Sequence, residues 1–129
     1  MLDTNIVSDL VRNPAGRAAQ KLADFGDQGI CISIVTAAEL RFGIAKRGSE
    51  RLAQQVEAVL SAIDILPLDA PADTEYGAIR LELEQLGTPI GPNDLLIAAH
   101  AKAVGVPLAT ANVAEFGRVR GLSIVNWLD

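Results

Sequence analysis

The sequence alternates short apolar runs with longer segments whose apolar residues recur at helical spacing. No internal repeat, low-complexity stretch or linker rich in Pro, Gly or Ser divides it. Because parallel strands need crossover connections that are usually helices, this alternation is typical of an α/β domain with a mainly parallel sheet. A chain of 129 residues can bury a core without disulfides or a structural metal. We therefore expect a single domain over residues 1–129.

The pattern predicts five short strands with helices on both faces of the sheet. Thr36 is expected to cap the third helix, Ser49 to open the fourth, and Asn93 with Asp94 to cap the last long one. The strands are expected at 1–2, 30–34, 65–68, 106–109 and 123–125, and the helices at about 6–11, 15–25, 35–47, 49–63, 70–86 and 93–104, with a helical turn at 113–116.

The charge balance and the aromatic content limit the function classes. Eleven Lys plus Arg against sixteen Asp plus Glu give a net charge of −5, which argues against a simple basic nucleic-acid clamp. Five aromatic residues are few for a surface that stacks a run of single-stranded bases. The start lacks the pattern of a signal peptide, and no segment approaches the roughly 20 apolar residues of a membrane helix. A soluble, cytoplasmic protein with no membrane partner is expected.

The single cysteine and the single histidine are not expected to carry chemistry. One cysteine cannot form an intramolecular disulfide, and Cys31 lies in an apolar run where a buried small hydrophobe is expected. His100 follows Asp94 by six residues, which places the two side chains about 240° apart around a helix. A packing or surface role is therefore expected for His100.

Three carboxylates lie at or near the predicted carboxyl ends of strands, where ligands collect in open α/β sheets. Asp3 follows the first strand, Glu39 lies between apolar neighbours in the helix after the second, and Asp94 begins a very apolar helix. Oxygen ligands of this kind suit a hard divalent cation such as Mg²⁺. Asp3 and Asp94 could each serve instead as a helix cap, and these residues alone leave that alternative open.

Five segments of the chain form a set: Leu2–Ile6 (LDTNI), Ala38–Gly43 (AELRFG), Asn93–Ala98 (NDLLIA), Thr110–Phe116 (TANVAEF) and Val125–Trp127 (VNW). Taken together, they resemble PIN-domain nucleases, and in particular the VapC toxins of bacterial toxin–antitoxin pairs. The resemblance implies a PIN-like three-layer α/β/α sandwich. It also implies an endoribonuclease that uses Mg²⁺ or Mn²⁺ to hydrolyse RNA and arrest growth.

The resemblance assigns roles to particular residues. Asp3, Glu39 and Asp94 match the catalytic acids that bind the metal, Glu39 either directly or through water. Asn112 stands where many PIN domains carry a fourth acid, with Glu115 three residues later, so a second metal is less assured. The residues expected to support the site are Thr4, Asn5, Thr110, Asn112 and Glu115. Only two residues precede Asp3, so either the first strand is short or the native start lies upstream.

The resemblance also implies a homodimer and a VapB-like antitoxin that blocks the acidic pocket by placing a cation among the acids. A basic cluster could contact RNA phosphates, or could simply be a solvated helix face. The RNA-binding candidates are Arg12, Arg41, Lys46 and Arg47.

Two other functions remain as alternatives. A small HAD-like phosphohydrolase would need a second Asp two residues after the first, where this chain has Asn5. A receiver-like signalling domain, which is not an enzyme, would need a Lys after a late strand, and no Lys follows Val106.

Overall fold

The structure is a computed structural model, and it describes residues 1–26 and 29–129. Within those ranges it contains seven helices and four short strands. In chain order they are α1 (Thr4–Arg12), α2 (Arg17–Phe25), β1 (Cys31–Ser33), α3 (Ile34–Arg47), α4 (Glu50–Ser61), β2 (Asp64–Leu66), α5 (Ala72–Gln85), α6 (Pro92–Val104), β3 (Leu108–Ala109), α7 (Val113–Phe116) and β4 (Ile124–Val125).

The strands are parallel, and Leu2 joins them into one layer. β1 pairs with β2, and β3 pairs with β4. Leu2 forms a parallel bridge with Ala109, and its backbone N–H donates to the carbonyl of Cys31 at 2.9 Å. Because the chain enters α1 at Thr4, only Leu2 forms a bridge there. The described residues therefore contain four strands and a one-residue bridge, and the predicted count of five strands is not confirmed.

Helices cover both faces of this layer, because successive strand residues point to opposite sides. Ile32 packs into a core with apolar residues of α1, α2, α3 and α4. Cys31, its neighbour, packs into a second core with residues of α5 and α6. The predicted three-layer α/β/α sandwich is confirmed, and Cys31 is buried as expected.

Two of the predicted helix caps are wrong. α3 begins at Ile34, and Ser33 caps it by accepting from the backbone N–H of Val35 at 3.0 Å, so Thr36 lies buried inside the helix. α6 begins at Pro92 after Gly91, and no side chain caps it, so Asp94 lies in the first turn. Pro is well suited to the first helical position, since its missing N–H would have no partner inside the helix.

The start of α4 is as expected, because the Ser49 hydroxyl accepts from the backbone N–H of Leu52 at 3.2 Å. No helix of the described ranges combines the length and the apolar composition needed to cross a membrane.

Phe116 gives a test of the packing that supports the site. It is 0% exposed in the core beside α6, whereas Phe42 is 68% exposed on α3. We expect Phe116→Ala to lower the free energy of unfolding by about 3–5 kcal/mol, because it leaves a cavity. Phe42→Ala should change it by less than about 0.5 kcal/mol. Urea unfolding followed by circular dichroism measures both, and equal losses would contradict this placement of the core.

Candidate active site

Asp3 lies at the centre of the sheet and is 3% exposed. Its backbone N–H donates to the carbonyl of Ala109 at 2.8 Å, which fixes the residue beside the end of β3. One carboxylate oxygen accepts from the backbone N–H of Thr4 at 2.8 Å, so Asp3 does cap α1. The other accepts from Asn5 Nδ2 at 3.0 Å and Thr110 Oγ1 at 2.8 Å. Burial, together with the charge of Glu39, raises the pKa of Asp3, although these hydrogen bonds oppose the rise.

Thr4 connects Asp3 to Glu39. The Thr4 hydroxyl donates to Glu39 Oε1 at 2.5 Å, and this contact joins the start of α1 to the middle of α3. The other oxygen of Glu39 accepts from Asn93 Nδ2 at 3.4 Å, a long hydrogen bond from the first turn of α6. The residue type of Asn93 predicts only a helix cap. Its position beside Asp94 in the segment Asn93–Ala98 is the signal that could have placed it near the acids.

The Asp94 and Glu115 carboxyl groups influence each other's pKa. The pKa of Asp94 is raised to about 7, mainly by burial and also by the Glu115 carboxyl and the charges of Asp3 and Glu39. Burial also raises the pKa of Glu115, but hydrogen bonds from Gly91, Asp94 and Asn112 and the charge of Arg118 together bring it below its ordinary value. The higher pKa of the two therefore belongs to Asp94.

The loop after β3 is held by three of the predicted supporting residues. The backbone N–H of Asn112 donates to Thr110 Oγ1 at 2.9 Å, and the N–H of Ala111 donates to Asn5 Oδ1 at 3.1 Å. The Asn112 side chain donates to Glu115, whose other oxygen accepts from the Gly91 N–H at 2.7 Å. Asn112 thus orients Glu115, which brings a fourth carboxylate beside the three that the motifs predict.

The four carboxylates supply only oxygen donors, which suits a hard divalent cation. Among the described residues, no group of three or more His, Cys, Asp or Glu side chains already stands where it could hold an ion. Mg²⁺ commonly binds through one or two carboxylates and keeps several waters, so it does not need such a preformed cage. A bound cation would lower the raised pKa of Asp94, because it relieves the repulsion among the acids.

The predicted basic residues fall into two groups. Arg12 and Arg47 line a groove of about 230 Å³ between α1, α3 and α4, and Thr4 and Glu39 line the same groove. Arg41 is exposed and pairs with Glu57, and Lys46 is exposed outside the groove lining. The structure therefore brings two of the four candidates onto a surface continuous with Glu39.

His100 is buried, and its Nδ1 lies 2.8 Å from Ser33 Oγ. Burial lowers the pKa of the imidazole, although the charge of Asp69 and a hydrogen bond to the Pro67 backbone oppose this. Its hydrogen bond connects α6 to the end of β1, as the expected packing role requires.

The chain matches a protein family and several known proteins. The family model described as PIN domain matches residues 1–122. The chain belongs to the PIN-domain family. It is also similar over nearly its whole length to "tRNA(fMet)-specific endonuclease VapC" of Shigella flexneri, with 40% identity covering 98% of this chain and 96% of that one.

Two further similarities are to proteins of Rickettsia felis. This PIN domain is 38% identical to "Ribonuclease VapC2" of that organism, over 98% of this chain and 96% of the relative. A crystal structure of VapBC2 bound to a promoter DNA fragment superposes with a TM-score of 0.91 at 36% identity, covering 98% of this chain and 97% of that one. The resemblance to VapC proteins is confirmed, and it favours this family over the HAD-like and receiver-like alternatives.

The pKa of Asp94 predicts how stability depends on pH without metal. Its pKa of about 7 exceeds the ordinary 3.8, so the folded state holds a proton that the unfolded chain has lost between those values. The stabilisation from this proton is complete below pH 3.8 and is lost as the pH rises through about 7. Asp94→Asn mimics the protonated group, so the stability of the wild-type PIN domain relative to this variant should fall from pH 5 to pH 8.

Urea unfolding in EDTA across that range measures the difference. Asp64→Asn is a matched control, because Asp64 is exposed at the start of β2. Parallel curves for wild type and Asp94→Asn would contradict the raised pKa.

Proposed function

We propose that this PIN domain is the toxin of a toxin–antitoxin pair and acts as a metal-dependent endoribonuclease that hydrolyses RNA phosphodiester bonds. The observation that carries the proposal is the convergence of Asp3, Glu39, Asp94 and Glu115, where burial and the neighbouring carboxyl groups raise the pKa of Asp94 to about 7. The names of the VapC relatives support the same activity. Residues 1–129 would form one domain acting in the cytoplasm.

Asp3 and Asp94 would hold Mg²⁺ or Mn²⁺, with Glu39 binding directly or through water. When bound, the cation lowers the pKa of a water and offsets charge on the phosphate. Thr4, Asn5 and Thr110 keep the Asp3 carboxylate in one orientation through their hydrogen bonds.

The partly buried carboxylate of Glu39 can accept a proton from the attacking water. Asn112 stands where many PIN domains carry a fourth acid, and its amide adds no negative charge, which supports one bound cation rather than two.

The groove between α1, α3 and α4 is suited to bind both RNA and an antitoxin. Its apolar floor, which includes Leu40, Ile44 and Leu52, suits a segment of a VapB-like antitoxin that places a cation beside Glu39. Arg12 and Arg47 suit RNA phosphates. An antitoxin bound in this groove would exclude RNA, and this competition would account for inhibition of the ribonuclease. VapBC complexes among the structural relatives support such a partner, and we also propose the homodimer that the family resemblance implies.

A cleavage assay tests the activity. The relative from Shigella flexneri is named for tRNA(fMet), so tRNA is the first substrate to use. With Mg²⁺ or Mn²⁺ the wild type should cut it, and EDTA should abolish cutting. Asp94→Asn should lower the rate by more than about 100-fold, because it removes a charged ligand. Asp64→Asn should cut at the wild-type rate, and cleavage that survives EDTA and Asp94→Asn would refute the mechanism.

Growth of a bacterial host tests the toxin function. Expression without an antitoxin should arrest growth, and both Asp3→Ala and Asp94→Asn should relieve the arrest at equal soluble yield. Asp64→Asn should remain toxic. Equal toxicity of all four proteins would contradict the assignment of the acids.

A further inference from the structure

A second cavity lies next to the acids, between α5 and the start of α6. Its volume is about 190 Å³. The floor is apolar and includes Leu83, Ile90 and Leu95, while Tyr76, Arg80 and Glu84 supply the aromatic and polar lining. The volume is below the roughly 300 Å³ at which pockets for drug-sized ligands begin, so the cavity suits a single ring system.

One stretch of extended backbone separates this cavity from the acids. Ile90 and Pro92 line the cavity, whereas the N–H of Gly91 between them donates to Glu115 on the other side. A Cβ on Gly91 would lie 3.5 Å from Asp94 Oδ2. Successive residues of an extended chain face opposite sides, so the wall is a single residue thick. An RNA strand whose phosphate lies at the acids could therefore place a neighbouring base in the cavity.

Residues 89–91 form the wall between the cavity and the acids, and hydrogen bonds from the side of the acids hold this wall in place. Arg118 Nη1 donates to the carbonyl of Pro89 at 3.1 Å, and Glu115 accepts from Gly91 at 2.7 Å. Two hydrogen bonds within three residues fix the position of the cavity relative to Asp94. A group bound in the cavity would therefore lie at a set distance from the bond that is cut.

The cavity lining favours a nucleobase. The Arg80 guanidinium carbon lies 6.0 Å from the centroid of the Tyr76 ring, and Nη1 donates to the Tyr76 hydroxyl at 2.9 Å. Arg80 Nε donates to Glu84 at 3.0 Å, which orients the guanidinium. These bonds use two of its five N–H donors. Arginine donors match O6 and N7 of guanine, and an aromatic ring can stack on a base.

We propose that this cavity binds one base of the RNA, preferentially guanine, beside the scissile bond, and that Tyr76 and Arg80 set the sequence preference of cleavage. The proposal rests on the proposed ribonuclease function, whose substrate it specifies. It assigns a role to a face of α5 that the acidic site does not use.

Binding can be tested without metal and without cleavage. Tyr76 is the only tyrosine of the chain, so its ring resonances in an NMR spectrum are identified without ambiguity. Tyr76 also lines a neighbouring cavity with Leu96 and Ala99, but Arg80 does not, so the Arg80 variant shows which cavity a shift comes from. GMP should shift them saturably and more strongly than AMP, CMP or UMP, while ribose 5-phosphate should not shift them. Arg80→Ala should weaken GMP binding roughly tenfold, which corresponds to the loss of one good base contact. Arg120→Ala is the matched control, because Arg120 also forms an exposed pair with a glutamate of α5.

Three results would overturn the proposal. The first is no shift with any nucleotide, and the second is an equal shift with ribose 5-phosphate, which would indicate a phosphate site. The third is a shift that depends on protein concentration alone, which would assign the cavity to contact between two copies. Arg80 and Arg120 are exposed, so neither variant should disturb folding, and thermal unfolding checks this.

Cleavage of an RNA pool with randomised sequence, in the presence of Mg²⁺, tests the consequence for specificity. Wild type and Arg120→Ala should share a base preference at one position beside the cut, and Arg80→Ala should lose it while still cutting. An unchanged preference in Arg80→Ala would overturn the inference while leaving the ribonuclease function intact. Absence of cleavage by the wild type, with GMP still bound, would instead refute the proposed function.

Discussion

The hydrogen bonds of Asp3 are the interactions on which the rest of the site depends. Its backbone joins the centre of the sheet to Ala109, and its side chain accepts from Thr4, Asn5 and Thr110. A buried carboxylate is costly unless its oxygens are satisfied, and here three donors satisfy them. The same donors fix α1 and the loop after β3 relative to each other. Thr4 extends the network to Glu39, so one residue of α1 orients two acids.

The proximity of the acids is electrostatically unfavourable. Four carboxyl groups converge from different elements, and burial together with their mutual repulsion raises the pKa of Asp94 to about 7. Neutralising Asp94 would relieve this repulsion, but it would also damage the proposed chemistry. Such conflict between local stability and the arrangement of a site is common where function requires like charges to lie together.

The sequence predicted the fold class and the order of helices and strands well, because hydrophobic spacing depends on local geometry. It failed at details decided by neighbours in space. Thr36 is a suitable capping residue by type, but Ser33 precedes it at the end of β1 and takes that place. Asp94 is likewise a good cap by type, but Pro92 starts the helix and moves Asp94 into its first turn.

The motifs selected three acids and Glu115, yet the sequence could not show that the Glu115 carboxyl raises the pKa of Asp94, because their proximity depends on the path of the loop before Gly91. The sequence equally could not predict the ion pair of Arg41 with Glu57. This pair joins α3 to α4, and helix propensity does not determine how the side chains of two helices meet.

The positions of the acids along the chain have a consequence for the cell that makes this protein. Asp3 and Glu39 leave the ribosome early, but Asp94 and Glu115 belong to the last third of the 129 residues. The central bridge of the sheet also needs Ala109 to pair with Leu2. A nascent chain therefore lacks both the complete set of ligands and the framework that orients them. The proposed chemistry therefore has no complete site until Asp94, Ala109 and Glu115 have all been synthesised.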